Sequence, residues 1–106
     1  MIIRGGENVY SVIVEAAIFE HPDVIDCAVV GVPHPTLGEE VAAVIVLRTG
    51  RVIEGEEIAR HVGARLARFE VPTKIVFRST PLPRNPQGKV LKRELRTALE
   101  ESMTTS

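Results

Sequence analysis

The chain has 106 residues, 44% of them apolar and 25% charged, which is the profile of one soluble globular domain with a core of its own. A net charge of −1 gives no overall attraction to nucleic acid or to an anionic membrane surface. Cys27 is the single cysteine, so no disulfide can form within the chain. With no secretory leader and no apolar run long enough to span a bilayer, a cytoplasmic location is expected.

The N-terminus opens with the apolar run Met1–Ile3, then Gly5-Gly6, then Asn8-Val9-Tyr10. Paired glycines between β-prone residues predict a hairpin. Val12, Ile13, Ala16 and Ala17 predict the apolar stripe of a helix of two to three turns, ended by Pro22. Residues 24–32 are β-branched and almost continuously apolar, the pattern of a strand covered on both faces, with Pro33 stopping it. Pro33-His34-Pro35 and Gly38 predict a loop, and residues 41–47 a second covered strand.

Ile58, Val62, Leu66 and Phe69 recur at helical spacing and predict one helix over residues 54–69, without a strong N-cap and terminated by Pro72. Residues 74–78 alternate as a short strand with Ile75 and Phe77 on one face. Pro81, Pro83 and Pro86 hold the next segment extended, and Asn85-Pro86-Gln87-Gly88 carries β-turn residues. Leu91, Leu95 and Leu99 mark a last helix, and residues 102–106 are expected to fray. The sum is an α+β domain, residues 1–106: a small central sheet of about three strands flanked by helices, with an N-terminal β-hairpin. So thin a core leaves room for a site only at an edge or against another surface.

Two segments carry residues with chemical potential. In the first, Arg4-Gly5-Gly6-Glu7-Asn8-Val9-Tyr10, the glycines either close a hairpin or let a narrow ligand pass close to the backbone. In the second, residues 81–95, the prolines stiffen a turn and Gly88 permits a reversal just before Lys89. The Lys89 ammonium is a compact point charge that is either simply solvated or delivered to a phosphate or carboxylate. A Walker A loop is excluded, because Val90 follows Gly88-Lys89 and the earlier glycine is missing. Arg84, Lys89, Lys92, Arg93 and Arg96 form a basic run without interleaved aromatics, which argues against nucleic acid. His21, His34, His61 and Cys27 have no metal-ligand spacing, so no metal site is expected.

Ile3-Arg4-Gly5-Gly6-Glu7-Asn8-Val9-Tyr10 resembles one signature of the C-terminal domain of the adenylate-forming superfamily. That superfamily comprises acyl-CoA synthetases, nonribosomal peptide synthetase adenylation domains and luciferases. Asn85-Pro86-Gln87-Gly88-Lys89 with Lys92-Arg93-Glu94-Leu95 resembles the other signature. Between them, Gly31-Val32-Pro33-His34-Pro35 with Gly38-Glu39, and Leu66-Ala67-Arg68-Phe69 with Val71-Pro72, resemble further blocks in the right order. The wording is most similar to fatty- or aryl-acid CoA ligases.

The resemblance implies a mobile lid on a larger N-terminal domain, absent from this chain, that binds ATP, Mg²⁺ and a carboxylic acid. It implies Lys89 as the adenylation lysine, on a turn supported by Asn85 and Gly88, and Arg4, Gly5, Gly6 and Glu7 as lining the pantetheine tunnel for CoA. It also implies that the domain alone is inactive and that Lys89 is open to acylation. An adenylation domain that loads a carrier protein, and a non-catalytic binding module of the same fold, are the alternative readings. Relatives commonly carry Pro-x-Glu where this chain has Ser11-Val12-Ile13, and a basic residue where it has Glu70, so contacts at those positions are not carried over.

Overall fold

The computed structural model describes the backbone of residues 1–104 and side chains through Glu101. Its organising element is a long antiparallel pair, β3 (Val24–His34) and β4 (Gly38–Leu47), whose alternating residues supply two cores. One face gathers Cys27, Val29, Val41, Ala43 and Ile45 with Val14 and Ile18 of α1 (Ser11–Phe19) and Ile58 and Val62 of α2 (Gly55–Gly63). The opposite face gathers Ala28, Val30, Val32, Ala42, Val44 and Val46 under Leu95 and Leu99 of α3 (Lys92–Thr104), with Leu82 beside them. Period-two alternation in strands buried on both sides is what makes these segments read as unbroken apolar runs.

Among the described residues the sheet has five strands. The hairpin β1 (Ile2–Arg4) and β2 (Glu7–Val9) belongs to it, because Arg4 pairs with Gly38 of β4. The strand β5 (Lys74–Arg78) runs parallel to β4, so the sheet is mixed. Ile75 and Phe77 lie against the α1/α2 core and Val76 against the α3 core, as the alternation requires.

Three expectations need correction. Pro33 does not end β3, which continues to His34, and β4 begins at Gly38 rather than Val41. A proline lacks a donor, but near a strand end its carbonyl still serves, so pairing with Glu39 survives. The helix over residues 54–69 stops at Gly63. Ala67 is extended, and Arg68–Glu70 form a separate 3-10 turn. Leu66 and Phe69 still pack on the core, so their helical spacing reported burial rather than one continuous helix.

In α1 the stripe is rotated: Val14, Ala17 and Ile18 are buried, whereas Val12 and Ile13 are exposed. With almost every position of that helix apolar, periodicity cannot fix its phase. The sheet does so instead, because Glu15 must face β3. The fraying expected at residues 102–106 falls partly on helix, since α3 continues to Thr104, and partly on Thr105 and Ser106, which lie outside the described residues.

Polar ties complete the layers. His61 Nε2 donates to the Ala17 carbonyl at 2.7 Å. His21 Nδ1 accepts the Asp23 N–H, which leaves Nε2 to donate to Glu57. Both join α1 to α2. Cys27 is core, and burial pushes its thiol up to about 12, with the nearby Glu15 carboxylate adding to the effect, so it is held as an inert thiol. Among the described residues no helix is long and apolar enough to cross a membrane.

Candidate functional site

The Lys89 turn is built almost wholly from backbone bonds directed by two side chains. Gly88 N–H donates to the Asn85 carbonyl, and Asn85 N–H to the Lys89 carbonyl, both at 2.9 Å. Asn85 Oδ1 accepts the Gln87 N–H at 3.0 Å and the Lys89 N–H at 2.9 Å. Gly88 sits at φ 87°, a conformation that a residue with a Cβ adopts only under strain. Arg84 then fastens the turn to the sheet: its Nε donates to the Gly88 carbonyl at 3.2 Å and its Nη2 to Asp26 Oδ2 at 2.7 Å.

Lys89 itself is exposed, and among the described residues its ammonium has no side-chain or carbonyl partner. Chemically this is a positive charge held out on a rigid stalk, available to an anion supplied from outside the domain. Replacing Asn85 by Ala removes the acceptor of two backbone donors. The turn should loosen by about 1–2 kcal/mol, read as faster amide exchange at Gln87 and Lys89, whereas Asn85→Asp, which keeps an acceptor oxygen, should preserve most of the protection.

The glycine turn lies elsewhere. Gly5 and Gly6 have φ of 56° and 87°, and Gly5 N–H donates to the Leu37 carbonyl at 2.8 Å. A Cβ on Gly5 would meet Leu37 Cδ2 at 3.1 Å, whereas one on Gly6 would meet nothing within 4 Å. Glu7 is exposed, and Arg4, paired with it across the hairpin, is half-buried. Arg4 Nε is enclosed without a hydrogen-bond partner among the described residues.

The structure does not bring the two segments together. Gly5-Gly6 abuts Gly38 at the start of β4, and Lys89 is tied through Arg84 to Asp26, which pairs with Val46 near its end. Gly38 and Val46 are separated by roughly eight steps of about 3.3 Å, or about 26 Å. A cleft of about 530 Å³ between the 47–53 segment and Phe77–Ser79 contains none of these residues. Among the described residues no group of three His, Cys, Asp or Glu could hold a metal ion.

Several supports were invisible in the sequence. Glu15 Oε2 accepts the Val29 N–H at 2.8 Å and the Lys92 ammonium at 2.7 Å, and Lys92 also donates to Ser11 Oγ at 3.1 Å. Asp26 Oδ1 accepts the Cys27 N–H at 3.0 Å. These carboxylates occupy donors along the open edge of β3, which would otherwise invite another strand. Glu70 closes the 3-10 turn by accepting the Ala67 N–H at 2.9 Å.

A sheet with a core on each face thus carries a glycine hairpin beside the start of β4 and a lysine turn tied near its end. The family model of the AMP-binding enzyme C-terminal domain matches residues 13–89, and the chain belongs to that family. Over 96 residues it is 45% identical to the long-chain-fatty-acid–CoA ligase FadD13 of Mycobacterium tuberculosis, covering 91% of this chain and 19% of the ligase. A feruloyl-CoA synthase of an Amycolatopsis species is 44% identical with the same coverages. The solved structure of a Mycobacterium tuberculosis fatty acyl CoA synthetase superposes with a TM-score of 0.88 at 42% identity, covering 96% of this chain and 20% of that one. The chain thus spans about a fifth of the length of these relatives.

Proposed function

We propose that the domain is the mobile lid of an ATP-dependent acyl-CoA synthetase, supplying one catalytic charge and one wall of the CoA tunnel. The observation that carries this reading is the Lys89 ammonium, unpaired among the described residues on a turn clamped by Asn85 and Arg84. A larger N-terminal domain binds ATP, Mg²⁺ and the carboxylic acid. In the first half-reaction a carboxylate oxygen attacks the α-phosphorus, the bond to the β-phosphate breaks, and pyrophosphate leaves. Lys89 stabilises the negative charge that accumulates between carboxylate and phosphate.

In the second half-reaction a CoA thiolate attacks the acyl carbon and AMP departs. Arg4, Gly5, Gly6 and Glu7 then line the passage for pantetheine, which a backbone without side chains can approach closely. The separation of about 26 Å along β4 supports alternation, because one rigid domain cannot present both segments to one active centre at once. A rotation between two poses, of the kind hinged lids use, does so in turn. The names of the relatives, CoA ligases and synthases, favour CoA over a carrier protein as the thiol.

The isolated domain should therefore show no ATP–pyrophosphate exchange with any acid, and exchange should return when it is joined to its N-terminal domain. Exchange by the 106-residue chain alone would refute the proposal. A lack of any gain on joining would instead favour a non-catalytic binding module.

A further inference from the structure

Glu39 stands where three parts of the fold meet, and its carboxylate is spent on two of them. Oε1 accepts the Ile3 N–H at 3.0 Å, in the strand that leads into the Gly5-Gly6 turn. Oε2 accepts from Arg96 Nη2 at 3.3 Å, on the helix that follows Lys89. The third part is Gly31 of β3, which is buried. A Cβ there would sit 2.6 Å from Glu39 Oε2, 3.0 Å from its Cδ and 3.1 Å from Ile2 Cγ2. The backbone of Gly31 is not at positive φ, so its conformation does not demand glycine. The space it leaves for the carboxylate does.

This contact matters because β1 is weakly held. Its registered pairing with β4 is the single pair Arg4–Gly38, supplemented by the Gly5 N–H to Leu37 bond. The carboxylate of Glu39 replaces a missing ladder bond at Ile3 with a charge-assisted one. It is only partly exposed, and Arg96 fixes its second oxygen.

We propose that Glu39 is a positioning residue for the thiol-transfer step, setting the placement of the Gly5-Gly6 turn against α3, and that Gly31 is the vacancy that admits its carboxylate. The effect on thiol transfer rests on the tunnel role given above to Gly5 and Gly6, whereas the effect on the turn does not. Glu39→Ala removes both acceptors. Glu39→Gln keeps an oxygen for Ile3 and weakens only the charge. Gly31→Ala pushes a flexible carboxylate end aside, so it should leave the fold intact and reproduce the Glu39→Ala phenotype from the opposite strand.

The test has two arms. In the 106-residue chain, amide exchange at Ile3 should quicken roughly tenfold in Glu39→Ala and Gly31→Ala, with Glu39→Gln near wild type. In the enzyme with its N-terminal domain, CoA transfer from preformed acyl-adenylate should fall by about tenfold in the first two variants. Adenylation should be unchanged in both, and Glu39→Gln should retain transfer. Unaltered Ile3 exchange in Glu39→Ala would overturn the positioning role, whatever the turn does in catalysis. Faster exchange with undiminished CoA transfer would keep Glu39 as the anchor of the turn and overturn the tunnel reading instead.

Discussion

Lys89→Ala in the enzyme carrying this domain should lower the rate of adenylation by about 10²–10³-fold, or about 2.7–4 kcal/mol of barrier, the cost of removing one preorganised electrostatic donor. The same variant should transfer CoA from supplied acyl-adenylate at the wild-type rate, since that step, as proposed, uses the other end of the sheet. Folding should be untouched. Lys89 is exposed and its ammonium has no partner among the described residues, so the change in stability should stay within about 0.5 kcal/mol. A selective loss of one half-reaction at constant stability therefore separates a catalytic charge from a structural one.

Two further substitutions sharpen the assignment. Lys89→Arg keeps the charge but exchanges a compact ammonium for a broad planar fork, and should recover only part of the rate. Acetylation of Lys89 deletes the charge while leaving the stem, and should match Lys89→Ala. Acetylated enzyme with full pyrophosphate exchange would remove Lys89 from the mechanism.

The order of elements was legible in the sequence because two physical signals are strong here. One is the continuous apolar pattern of strands β3 and β4, which only burial on both faces explains. The other is turn chemistry: Gly5-Gly6 and Asn85-Pro86-Gln87-Gly88 read as reversals, and the structure has a reversal at each. What the sequence misplaced were boundaries and phases that depend on contacts distant in the chain. Leu66 and Phe69 satisfied helical spacing while reaching the core by a bend and a 3-10 turn. Ile13 belonged to an apolar helix by composition, yet it faces outward because Glu15 is turned toward Val29 and Lys92.

The residues around the candidate site divide in the same way. Lys89, Asn85 and Gly88 lie in one local motif, so local chemistry exposes them. Arg84 and Asp26, or Glu39 and Gly31, are joined only after β3 and β4 pair and the flanking segments dock. No spacing rule connects residues 26 and 84. Nor does any connect Gly31 with Glu39, whose carboxylate fills the space beside it.

The second large effect is expected at Gly6. Gly6→Leu places a side chain on the tip of the hairpin, where a Cβ has open space within this domain. Its φ of 87° costs about 1–2 kcal/mol for a residue with a Cβ, which a domain with two buried cores tolerates. Adenylation should continue if, as proposed, the hairpin is turned away from the active centre during that step. CoA transfer should drop by about 10²-fold or more, since a branched side chain would stand in the path of pantetheine and misplace the thiolate. Gly6→Asn, which accepts a left-handed backbone more readily and is smaller, should lose less. Gly5→Leu is the poorer probe, because its Cβ already presses on Leu37 and would shift the turn itself. Measured side by side, Lys89→Ala and Gly6→Leu should fail in opposite halves of the reaction. Mixing the two proteins should restore turnover only as far as acyl-adenylate made by Gly6→Leu dissociates and reaches Lys89→Ala. Loss of both half-reactions in either single variant would overturn the proposed division of labour between the two segments.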